Sequence, residues 1–147
     1  MTYTPPIAEQ RFVLETVARI GDLAGNNVFA EATPDMVDAI LEGAGAFAGG
    51  EWAPLNRVGD TQPPRWADGA VTMPPGFKEG YRGFVEGGWG TIAGPTVHGG
   101  QGLPFTLAAV VQEDLGTANM AFSLCPMLTA GAVEAIAVHG SPEQQAA

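Results

Sequence analysis

Apolar residues recur every three or four positions along most of the chain, and glycine or proline interrupts each run. The spacing of Phe12, Val13, Val17 and Ile20 predicts a helix over about 7–20, with Glu15 four residues ahead of Arg19 on its outer side. Gly21 and Gly25-Asn26-Asn27 should end it. A second helix is announced by Thr33-Pro34-Asp35, where Thr33 can cap, Pro34 gives up no needed hydrogen bond, and Asp35 suits the positive helix end. Its stripe is Met36 or Val37, Ile40, Leu41, Ala44, Phe47 and Ala48, and it should stop near Gly49-Gly50 or reach Trp52, before Pro54. From Ala53 to Pro75 the pattern fades into irregular chain punctuated by proline and glycine. A short strand or turn is expected around Ala70 to Met73, with Trp52 and Trp66 as apolar anchors. A short helix over about 75–86 then turns Tyr81 and Phe84 or Val85 inward, until Gly87-Gly88 breaks it.

Beyond the glycine-rich loop Gly94–Gly102, Leu107, Val110, Val111 and Leu115 predict a helix from Pro104, which Gly116 weakens or ends. Residues 118–124 read as another turn or a continuation. Leu128, Ala132, Val133, Ile136 and Ala137 mark a further helix to Val138, closed by Gly140. Ser141-Pro142-Glu143-Gln144 carries the signals of a new helix, including a capping box, yet only Ala147 remains to be reached. The chain therefore reads as the first piece of a longer protein, a frayed tail being the alternative. The fold class is all-α, with long Gly/Pro-rich connecting loops.

Composition sharpens this. Twenty-one glycines and twelve prolines follow no three-residue period, which excludes a collagen-like structure, and 46% hydrophobic residues argue against wholesale disorder. A chain of 147 residues suits one domain. The net charge of -10 disfavours nucleic acid as a partner. Lys78 is the only lysine and no basic residue follows Arg82, so the second half is one-signed, as befits a face turned towards a partner or another domain, or simply an acidic proteome. The polar, proline-rich start Met1–Pro6 does not resemble a secretory signal. No apolar run is expected to reach membrane-spanning length, and the default expectation is a cytoplasmic protein.

Local chemistry is sparse. Cys125 has no cysteine partner, and His98 and His139 lie far apart, so a metal site would need sequence-distant residues to converge. Cys125 could be a nucleophile only beside a base and reads more simply as a small apolar residue. Glu113 and Asp114 are neighbours that a helix turns apart, which is no paired-carboxylate arrangement. His98-Gly99-Gly100-Gln101-Gly102 has neither the glycine spacing of a dinucleotide fold nor a phosphate-binding lysine, and reads as a flexible turn. Met120–Leu128 is soft and apolar, suited to core or to the wall of an acyl or aromatic pocket.

An ordered series of short motifs resembles the N-terminal helical domain of the flavin-dependent acyl-CoA dehydrogenases. It runs through Gly88-Trp89-Gly90, Gly99-Gly100-Gln101-Gly102-Leu103-Pro104, Glu113, Ala118-Asn119, Phe122-Ser123, Gly131-Ala132 and His139–Gln145. Tyr3, Pro5-Pro6 and Arg11–Leu14 resemble the N-terminal extension of the longer bacterial branch. Pro54–Asp60 resembles the end of its first long helix. That branch includes enzymes acting on methylthio-propionyl-CoA and related acyl-CoA thioesters. The resemblance implies an extension with one helix over 1–32 and the family's helical domain over 33–147, truncated at its end.

It further implies part of an FAD-dependent oxidoreductase of fatty acid metabolism that converts an acyl-CoA thioester to the 2,3-enoyl-CoA. The flavin and the catalytic base would sit in missing middle and C-terminal domains or a complementary subunit. Alone, the chain is expected to be inactive and to retain no FAD; whether it forms a homo-oligomer is left open. No catalytic, cofactor-binding or metal-ligating residue is carried over, and Glu113 is read as structural or interdomain. By resemblance, Phe122, Leu124, Cys125, Met127 and Leu128 are the substrate-pocket candidates. A non-catalytic helical interaction module derived from the same domain is the alternative. A small metal or thiol enzyme built on His98, His139 and Cys125 ranks last.

Overall fold

Thr33 starts the helix around which the fold is organised: its hydroxyl accepts the Met36 N–H at 3.3 Å, and Pro34 occupies the first turn. The computed structural model describes residues 2–146. Met1, at the head of the proline-rich opening, and Ala147, where the last helix was expected to break off, lie outside them. The elements are α1 (Ile7–Phe12) with a π-helical turn (Val13–Val17), α2 (Ile20–Ala24), α3 (Pro34–Phe47), a second π-helical turn (Ala48–Trp52) and α4 (Ala53–Thr61). Then come the strands β1 (Arg65–Ala67) and β2 (Ala70–Thr72), followed by α5 (Phe77–Glu86), α6 (Phe105–Ala118), α7 (Met120–His139) and α8 (Pro142–Ala146). The architecture is all-α but for this small hairpin. The core is one cluster in which Leu41, Ala44, Ala48 and Trp52 meet Leu107, Val111, Leu115 and Phe122, with Leu14 and Ile20 joining from the leading segment.

The π turns explain two departures from the helical pattern. Ala18 donates to the Val13 carbonyl at 2.9 Å, five residues back, so the wider turn shifts every later side chain out of the 3.6-residue register. Gln10 and Leu14, four apart, already share the inward face, which leaves the expected stripe residues Phe12 and Val13 exposed; Val17 at the end of the turn is exposed too, and Ile20 beyond it is buried. Regular helix then breaks at Arg19, a non-glycine residue at φ 52°. In the second π turn Ala53 donates to the Ala48 carbonyl, and the helix runs on through Gly49-Gly50 and past Pro54 instead of stopping. Pro54 sits in the first turn of α4, so residues 53–61 are helical, as the resemblance of Pro54–Asp60 to a helix end implied and the local pattern did not.

Trp52 is buried as expected, but Trp66 is 73% exposed on the hairpin and anchors nothing. That hairpin turns at Asp68 and Gly69, with φ 50° and 78°, and pairs Trp66 with Val71. On α5 Phe77, Gly80 and Phe84 point inward, and Tyr81 and Val85 do not. The loop before α6 is no flexible turn. Gly102 donates to the Gly94 carbonyl at 2.9 Å, Leu103 to Ile92 at 3.0 Å and Gln101 to Thr91 at 2.9 Å, while Gly100 lies so close on Gly94 that a side chain would not fit.

α6 continues through the buried Gly116 to Ala118. α7 is a single helix of 20 residues, not a turn followed by a shorter helix, and it passes through Pro126 and Gly131. With a mean hydropathy of 1.6 it is long and apolar enough to cross a membrane by length and composition, which corrects the expectation that no run reaches that size. Ser141 and Gln144 form the expected capping box at α8, the Ser141 N–H donating to Gln144 Oε1 at 2.8 Å and the Gln144 N–H to Ser141 Oγ at 3.4 Å.

Candidate functional site

Where α6 gives way to α7, Asn119 breaks the helix and ties three elements together. Its Oδ1 accepts the Phe122 N–H at 3.2 Å, capping α7, while its Nδ2 donates to the Trp52 carbonyl at 3.3 Å. Asn119 is 1% exposed, so both bonds are shielded from water. The cap fixes Phe122, whose ring stacks on Trp52 at 4.4 Å and on Phe77 at 4.5 Å. Trp52 in turn donates its indole N–H to the Gly80 carbonyl at 3.2 Å. Gly80 allows this approach, since a Cβ there would lie 2.8 Å from Leu55 and 3.2 Å from Phe122.

Two rings of this column, Phe122 and Phe77, line an open groove of about 950 Å³. α4 contributes Asn56, Gly59 and Asp60; the hairpin and its exit contribute Val71, Met73, Pro74 and Pro75; α5 contributes Phe77, Lys78, Glu79 and Tyr81; α7 contributes Ala121, Phe122 and Cys125. Its lining is mainly apolar, with the charges of Asp60, Lys78 and Glu79 grouped on the α4 and α5 side. Such a groove suits an apolar chain rather than a polar metabolite. The thiol of Cys125 is exposed.

Of the five residues expected to line a pocket, Phe122 and Cys125 stand in this groove. Leu124, Met127 and Leu128 lie outside it, exposed on the rest of α7. From Met127 to Ile136 every residue of α7 is exposed, although most are apolar. α7 thus docks through Phe122, Ser123 and Pro126, and its later turns leave their side chains largely exposed. A second, smaller cleft of about 140 Å³ lies between α5, α6 and α7, bordered by Phe84, Trp89, Val111, Pro126 and Val133.

The hairpin and α5 wall was missed by sequence reasoning, because Val71, Met73 and Lys78 meet α7 only in three dimensions. Phe77 had a local signal, lying seven residues before Phe84 on one helix face. Glu113 is exposed, whereas its neighbour Asp114 is wholly buried. Position 114 falls on the Leu107–Val111 stripe, so the periodicity marked it. Among the described residues no three of His, Cys, Asp and Glu gather as a metal site.

The comparison with known proteins follows the same elements. The model of the acyl-CoA dehydrogenase N-terminal domain matches residues 36–147, from the first turn of α3 to the end of the chain. The 3-methylmercaptopropionyl-CoA dehydrogenase of Ruegeria pomeroyi is 38% identical over 146 residues, covering 99% of this chain and 25% of that protein. The chain thus spans about a quarter of the length of the curated relative it matches. With its capped α6–α7 joint and groove of helices, the chain belongs to the acyl-CoA dehydrogenase family.

Proposed function

We propose that this chain is the N-terminal part of a flavin-dependent acyl-CoA dehydrogenase that oxidises an acyl-CoA thioester to the 2,3-enoyl-CoA. Its contribution is one wall of the acyl site. The observation that carries the reading is the family match over residues 36–147 together with a relative about four times as long, a 3-methylmercaptopropionyl-CoA dehydrogenase. Two structural features support it. The groove floored by Phe122 and flanked by Cys125 is apolar and open on one side, and the second half of α7 exposes an apolar surface of the kind that usually meets a partner. In this reading α7 docks against the remaining domains, and Leu124, Met127 and Leu128 contribute to that contact.

The groove residues do not fit a flavin. Lys78 is the one cation of its lining and sits with Asp60 and Glu79, which would repel the cofactor's phosphates. We therefore assign FAD and the catalytic base to the other domains, and give this chain only shape selection and exclusion of water around the thioester.

The test compares the purified chain with the same chain joined to the remaining three quarters of the enzyme. The short form should be colourless and should reduce no dye with any acyl-CoA thioester. The long form should be yellow and reduce dye with some member of the panel. Stoichiometric flavin on the short form would overturn the allocation of the cofactor. A yellow long form inert to every thioester would leave the alternative, a non-catalytic interaction module. In the long form Cys125→Phe should raise KM for the longer acyl groups and leave the flavin spectrum unchanged, as expected for a wall residue.

A further inference from the structure

Away from the groove, Asp114 on α6 is wholly shielded from solvent yet, among the described residues, hydrogen-bonded at only one oxygen. Its Oδ1 accepts the Tyr3 hydroxyl at 2.6 Å and the Gln10 Nε2 at 2.6 Å, both from the leading segment more than a hundred positions away. Among the described residues its Oδ2 has no partner, and neither has Oε1 of Gln10, a residue 6% exposed. The two orphaned acceptors therefore belong to a pair of side chains already joined by a short bond. The same segment is seated on α3 by close approach. A Cβ at Gly45 would lie 2.5 Å from the Pro5 ring, and one at Gly49 would lie 2.9 Å from the Tyr3 carbonyl oxygen. Burial and the Asp114 contact push the Tyr3 phenol above its ordinary range, so it remains a donor.

We propose that residues 2–12 form a strap that opens as its own unit, uncovering the trough between α3 and α6 while the rest of the domain stays folded. The closed strap gains two hydrogen bonds to a carboxylate and the packing of Tyr3 and Ile7 on the core. Against this, closure strands two acceptors that water satisfies once the strap lifts. Its opening free energy consequently lies below that of the core. The π turn and the break at Arg19 lie just beyond the strap, with Leu14 buried within the turn and Ile20 buried after the break as fixed anchors. The strap precedes residue 36, where the family model begins, and none of Tyr3, Gln10 and Asp114 lines the groove.

The sign of one substitution sets this apart from a plain anchor. Asp114→Asn keeps a carbonyl for Tyr3 and Gln10 and adds an amide N–H that can donate to Gln10 Oε1. A strap held by charge would loosen; a strap limited by orphaned acceptors should tighten. Hydrogen exchange of the whole chain, read at the Gln10–Phe12 amides and at those of Leu107–Leu115, follows both regions at fixed pH. In the wild type the strap amides should exchange at least about tenfold faster than those of α6. Tyr3→Phe should speed strap exchange about five- to tenfold and leave α6 unchanged. Asp114→Asn should slow it severalfold. Strap and α6 amides exchanging in step in the wild type and Tyr3→Phe would overturn the proposal, as would faster strap exchange in folded Asp114→Asn.

Discussion

Replacing Asn119 by alanine removes both side-chain bonds at the joint between α6 and α7, and the loss can be worked out from the structure. The cap on the Phe122 N–H is worth about 1 kcal/mol. The Trp52 carbonyl, shielded with it, loses a donor at a cost of about 1–3 kcal/mol. Asn119→Ala should therefore destabilise the domain by about 2–4 kcal/mol, a large share of the roughly 5–15 kcal/mol that holds a domain together. Asn119→Ser separates the two terms. Serine caps nearly as well as asparagine but is too short to span to Trp52, so only the carbonyl term should be lost. Urea titration followed by tryptophan fluorescence reads the effect, since Trp52 is fully buried beside Phe122. With an m-value of about 2 kcal/mol/M, the Asn119→Ala midpoint should fall by about 1–2 M, with the slope unchanged. A loss under about 0.5 kcal/mol, or a serine variant as damaged as the alanine one, would refute this account of the joint.

Phe122→Ala empties the middle of the Trp52–Phe122–Phe77 stack and should cost about 3–5 kcal/mol in the same titration, with Phe122→Leu well below that. Two glycines should respond oppositely to alanine. Gly45→Ala drives a methyl into Pro5 and should destabilise by about 1–3 kcal/mol, whereas Gly131→Ala meets nothing within 4 Å in mid-helix and should stabilise by about 0.5–1 kcal/mol; thermal melts decide both. The Ser141 hydroxyl, followed by a backbone bond, holds the Glu143 carboxyl below its ordinary range. The folded value being depressed, its support of α8 is present above the usual glutamate range and is lost as pH falls through the folded value. An NMR titration should show α8 fraying only in that acid window, with the Glu143 midpoint moving up towards the ordinary value in Ser141→Ala.

What the sequence disclosed depended on whether the signal was local. Thr33-Pro34 and Ser141–Gln144 were readable because a cap needs only residues three positions apart, and both formed as expected. Leu107, Val111 and Leu115 were readable because α6 keeps its period. Phe12 and Val13 misled because Gln10 and Leu14 take the inward face, and Val17 because a π turn adds a residue that no periodic template contains. Asp68-Gly69 was a legible hairpin signal whose flanking strands, only three residues each, hid it. Residues 118–124 read as a turn or a continuation, yet α7 runs on through Pro126, the packing of Phe122, Ser123 and Pro126 on the core offsetting the missing N–H. The groove was half legible: Phe122 and Cys125 came from the motif series, while the opposite wall arrives from residues fifty positions earlier.

The wide turn at Ala48–Trp52 bears on how relatives should be aligned. Because its closing bond reaches one residue further than in an ordinary helix, it stores a single extra position inside a continuous rod of 28 residues from Pro34 to Thr61. A related chain that lacks the wide turn would need one residue fewer here to bring its equivalents of Ala48 and Trp52 to the same places. The insertion or deletion that separates such branches should then fall within the Gly49-Gly50-Glu51 stretch, in mid-helix, rather than in a loop where gaps are ordinarily placed.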